Sequence, residues 1–128
     1  MLAGTIKRRG FTLIELLVVM AVIGILLSLV APRYFNSVSK AEEAVLRENL
    51  TQIRDVIDKY HADTARYPDS LDDLVSKKYL RKTPYDPVAK SDRQWIVVPP
   101  EDARLGGVYD VKSGAPGSSR DGSLYSEW

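Results

Sequence analysis

From Phe11 to Ala31 the chain reads FTLIELLVVMAVIGILLSLVA, an apolar run with one charge, Glu15, and only Thr12, Gly24 and Ser28 as further non-aliphatic interruptions after the opening Phe. At about 1.5 Å per residue, a helix of this run reaches roughly 30 Å, the thickness of a bilayer's hydrocarbon core. The apolar core of a secretory signal is shorter, about 7–15 residues, so an ordinary cleaved signal peptide is disfavoured. Lys7, Arg8 and Arg9 stand just ahead of the run. The positive-inside rule therefore keeps the N-terminus cytoplasmic and sends everything after Pro32 outward. Those three cations hide an asymmetry in the formal net charge of +1: beyond Gly10 the chain holds 15 basic against 17 acidic residues. No basic excess points to nucleic acid.

Glu15 is not explained by a bland anchor. A carboxylate near the end of a spanning helix costs on the order of 1–3 kcal/mol unless it reaches the headgroups or meets a partner. Gly24 and Ser28, four apart, lie on one helical face as a small-xxx-small pair, which allows close helix contact but is weak as a signal.

Beyond the run, Pro32 is expected to kink the helix or begin its next segment. Val38, Ala41, Val45, Leu46, Leu50, Ile53, Ile57 and Tyr60 then recur at steps near three and four, predicting an amphipathic helix whose stripe carries a small domain. It should stop near Ala65, where Pro68 biases Tyr67 out of the helical region. Ser70, followed by Leu71, Asp72 and Asp73, reads as the N-cap of a short helix. TPYDP, at Thr83–Pro87, is a loop fixed by two prolines. WIVV at Trp95–Val98 and GVYDV at Gly107–Val111 favour strands, and Ser113–Ser123 is too rich in glycine and proline for regular structure. LYSEW closes the sequence as strand or coil, with Tyr125 and Trp128 expected to cap the core. The fold class is α+β: a long N-terminal helix packed on a small head with a short helix, two or three short antiparallel strands and a long loop. The expected division is 1–10, 11–31, 32–65 and 66–128.

The chain holds no cysteine and one histidine, His61, which reads as an exposed helix-face residue. No nucleophile–base pair, histidine-based metal spacing or glycine-rich phosphate loop stands out, and the pairs Asp72–Asp73 and Asp55–Asp58 read as solvated charges. The protein is not expected to be an enzyme.

RRGFTLIE resembles the type III signal of type IV pilins and type II secretion pseudopilins. The resemblance implies that a prepilin peptidase cuts between Gly10 and Phe11 and methylates the new amine on Phe11, and it puts the motif's acidic residue on Glu15. Residues 1–10 would be the discarded leader. Phe11's new amine would then give the Glu15 of a neighbouring subunit a counter-charge, which sets register.

YP-x-x-LxxLV, PYDP, GVYDVxSGAPG and DGSLYSEW extend the resemblance to the G-type major pseudopilin over nearly the whole chain. This implies a structural subunit of a periplasmic filament that drives protein export. Its implied partners are other copies in a helical homo-oligomer, prepilin peptidase/methyltransferase, an inner-membrane assembly platform and minor pseudopilins. The implied location is the bacterial inner membrane, single-pass, and after assembly a periplasmic filament. Two alternatives stay open, a type IV pilin used for adhesion, motility or DNA uptake and a membrane-anchored binding domain that never polymerises. The G-type family binds calcium in its C-terminal loop, but Pro116 stands where the usual loop has an aspartate. Asp110 and Asp121 remain as weak candidates, and the loop is expected to be metal-free.

Overall fold

The computed structural model describes residue 4 and residues 10–128, so the basic residues Lys7, Arg8 and Arg9 lie outside the described residues. Two compact units divide the chain, one ending at Ser37 and one spanning Val38–Trp128. Among the described residues the architecture is α+β. The first helix, α1, runs Leu13–Thr64, followed by α2 at Leu71–Ser76 and strands β1 at Trp95–Val98 and β2 at Asp110–Ser113.

In the first unit the helix does not break at Pro32; it passes through as one element. Proline there withdraws one donor from the carbonyl four residues back, Ser28, and the helix continues past that loss into Arg33, Tyr34 and Phe35. The apolar side chains of this stretch are bare, from 49% exposed at Val22 to 75% at Leu13. An 18-residue window reaches a mean hydropathy of 2.9, so the helix is long and apolar enough to cross a membrane.

In the second unit, Leu46, Leu50, Ile53, Ile57 and Tyr60 of α1 are buried in one cluster with Leu74, Leu80, Trp95, Val108 and Val111. Their spacing of four and three puts them on one face. The stripe is shorter than its sequence suggests: Val38, Ala41 and Val45 stay exposed, and full burial on this helix begins at Leu46. The helix ends at Thr64 and Ala65 takes a left-handed φ of 58°, close to the expected stop. Ser70 caps α2 as expected: its hydroxyl accepts from Asp73 N at 3.3 Å, while Asp73 Oδ2 accepts from the amide of Asp69, just ahead of the cap, at 3.1 Å.

β1 and β2 pair antiparallel, Trp95 opposite Ser113 and Val98 opposite Asp110. β2 begins three residues later than GVYDV predicts. Gly107 N and Val108 N both donate to Pro68 O, at 3.0 and 2.9 Å, so these donors are committed to the segment after α1 before the strand starts. Gly106 makes the turn at φ 135°, with its α-carbon so close to Tyr67 that an added β-carbon would lie 2.1 Å from Tyr67 O. Only glycine fits there. LYSEW forms a 3₁₀ turn at Tyr125–Glu127 rather than a strand, and Tyr125 and Trp128 do pack against the core. His61 is half-buried rather than exposed, stacked on Tyr67 with ring centroids 4.3 Å apart.

Candidate functional site

The N-terminal motif is accessible. Among the described residues other than its chain neighbours, no atom lies within 4 Å of where a β-carbon on Gly10 would point, Phe11 is 89% exposed, and both precede the first helical residue. A peptidase needs a bond outside regular structure and open to solvent, and Gly10 and Phe11 are both exposed and precede the helix. Thr12 then starts the helix. Its hydroxyl accepts from Glu15 N at 3.1 Å, and Glu15 Oε2 accepts from Thr12 N at 3.3 Å. This capping box gives Glu15 a local role within one chain. A Thr three residues before a Glu at the head of an apolar run is the sequence signature of such a box. Gly24 and Ser28 are exposed, and the Ser28 hydroxyl donates to Ile25 O at 2.6 Å within its own helix.

The C-terminal candidates Asp110 and Asp121 do not converge on a shared site. Asp110 Oδ1 accepts from Arg54 Nε at 2.8 Å. Asp121 organises its own loop: Oδ1 accepts from Ser123 N at 2.9 Å, from Ser123 Oγ at 2.6 Å and from Ser119 Oγ. Among the described residues no group of three or more His, Asp or Glu side chains is placed to hold a metal ion. Asp55, Asp58 and Asp72 are exposed, and Asp73 serves the α2 cap.

The serine hydroxyls and the Ser123 amide hold the Asp121 carboxyl well below the usual carboxylate range. A carboxyl with a lowered folded pKa stabilises the fold above its unfolded value, about 3.9, and loses that contribution as pH falls. Acidifying from pH 5 is therefore expected to erode this contribution progressively below about pH 4, the loop letting go only as pH falls into the carboxyl's own lowered range. Trp128, whose Nε1 donates to Ser123 Oγ at 2.8 Å, reports it by fluorescence. An Asp121→Asn variant should show the loosened signal already at pH 5.

Sequence reading passed over one buried carboxylate. Asp86 is 0% exposed inside TPYDP: Oδ1 accepts from Val88 N and Ala89 N at 2.9 and 3.0 Å, and Oδ2 from Ser113 Oγ at 2.5 Å. It fastens the loop between α2 and β1 to the end of β2.

A family model described as the prokaryotic N-terminal methylation motif matches residues 6–31. The chain is 30% identical over 131 residues to the type II secretion system core protein G of Klebsiella michiganensis, covering 90% of this chain and 91% of that one. It is likewise 30% identical to the Escherichia coli core protein G over 96% of this chain and 89% of that one, and 34% identical to the Aeromonas hydrophila protein over 63% and 69%. No solved structure matches the chain with significance.

Proposed function

The chain belongs to the family of the type II secretion system core protein G, and from that membership we propose that it is the structural subunit of a periplasmic pseudopilus that drives protein export. The observation that carries this reading is the pairing of a bare, membrane-length apolar helix with an exposed Gly10–Phe11 bond and a single charge, Glu15, at its start. In the inner membrane the helix sits in lipid, with the N-terminus cytoplasmic and the Val38–Trp128 unit periplasmic. Prepilin peptidase cuts after Gly10 and methylates Phe11. An assembly platform then draws subunits out of the bilayer, and their apolar helices exchange lipid for one another, with minor pseudopilins in the same fibre.

The protein is in this reading a substrate of enzymes and not an enzyme. The match along nearly the whole chain to core protein G favours secretion over a type IV pilus and over a non-polymerising anchor.

Intact mass of the chain extracted from membranes tests the reading. The expected species has lost Met1–Gly10 and gained one methyl group on Phe11. An intact Met1, or a terminus beyond Ala31, overturns it.

A further inference from the structure

Three side chains of α1, Glu43, Arg47 and Arg54, lie at spacings of four and seven residues and so share one helical face. All three engage the C-terminal segment. Arg54 does most: Nε donates to Asp110 Oδ1 at 2.8 Å, and Nη2 donates to Val111 O at 3.0 Å and to Trp128 O at 2.7 Å. Arg47 lies with its guanidinium 4.0 Å from the centre of the Trp128 ring and Nη2 3.6 Å from Asp121 Oδ2. Glu43 Oε1 accepts from Arg120 N at 3.0 Å and from the Tyr125 hydroxyl at 2.9 Å.

The calcium that the family resemblance implies does not fit this arrangement. Calcium takes six to eight oxygens at about 2.3–2.6 Å, several of them carboxylate. Here Asp110 and the carbonyl of Val111 face a guanidinium, the second oxygen of Asp121 faces another, and its first is filled by serine donors. Pro116 offers no side-chain oxygen.

We infer that this chain closes its C-terminal loop with protein charge in place of a divalent cation: Arg54 and Arg47 of α1 gather Asp110, Asp121 and the Trp128 end, and Glu43 binds the far side of the loop. All these groups lie within Val38–Trp128.

Thermal melting of the full chain in detergent, followed by circular dichroism in millimolar calcium and in EGTA, tests this. A site filled to about ten times its Kd raises the midpoint by roughly 5–10 °C in a domain of this size. The expected result is the same midpoint in both buffers, and no terbium luminescence sensitised through Trp128. A midpoint several degrees higher in calcium, or sensitised terbium emission, overturns the inference. Arg54→Met should lower the midpoint by several degrees equally in both buffers; no change from the parent overturns the role given to Arg54. If that variant does not fold, the half-exposed Arg47→Gln takes its place, with a smaller drop and altered Trp128 fluorescence expected, and parental behaviour in both counting against the arginine clamp.

Discussion

Asp86→Ala is expected to lower the stability of the head by about 3–5 kcal/mol, the largest effect of any single side-chain truncation in the loop region. The alanine leaves three donors without an acceptor, the part-buried amides of Val88 and Ala89 and the buried hydroxyl of Ser113. Each unsatisfied buried group costs about 1–3 kcal/mol, partly recovered if water enters. The loss spreads, because Ser113 Oγ also accepts from Ala115 N at 3.1 Å, so the start of the C-terminal loop depends on the same carboxylate. Domains are stable by roughly 5–15 kcal/mol, and a change of this size is therefore read easily by urea or thermal melting. Asp86→Asn keeps one oxygen for the two amides but presents an NH₂ group to Ser113, and should cost less than half as much. An alanine variant as stable as the parent would show that the carboxylate does not fasten the two loops together.

Features that rest on local chemistry were legible in the sequence. The end of α1 before Tyr67–Pro68, the serine cap of α2 and the strand WIVV each follow from residues within a few positions of one another. So did the membrane length of the first helix and its single charge. What escaped was set by contacts distant in sequence. β2 starts late because Pro68 O takes the amides of Gly107 and Val108, a pairing across the whole head that no propensity records. Asp86 looked like a turn residue between prolines, and its burial depends on Ser113, 27 positions away. Asp110 reads as a weak metal candidate, whereas its partner is Arg54, 56 positions earlier on α1. The Thr12–Glu15 box was legible in the sequence, but Glu15's cost in lipid drew the reading toward distant partners.

That box alters what a Glu15 variant tests, and it makes Glu15→Ala the second large effect. In one chain Glu15 caps its own helix, worth about 1 kcal/mol, and the loss of the cap alone should leave membrane insertion and cleavage at Gly10–Phe11 intact. Between chains the proposed role is larger. If the methylated amine of Phe11 meets a neighbour's Glu15 out of water, removing the carboxylate strands a buried charge at every contact, at about 3–5 kcal/mol. Each added subunit then binds about 100-fold less tightly or worse, and filaments should be absent by electron microscopy of sheared material, while the cut, membrane-held subunit accumulates. Glu15→Gln separates the two roles. Glutamine still accepts at the Thr12 amide, so the helix start survives, but it carries no charge for the amine. Loss of filaments in both variants places the effect in the charge between subunits. Normal filaments in Glu15→Gln with none in Glu15→Ala would place it in the cap, and normal filaments in both would remove Glu15 from assembly altogether.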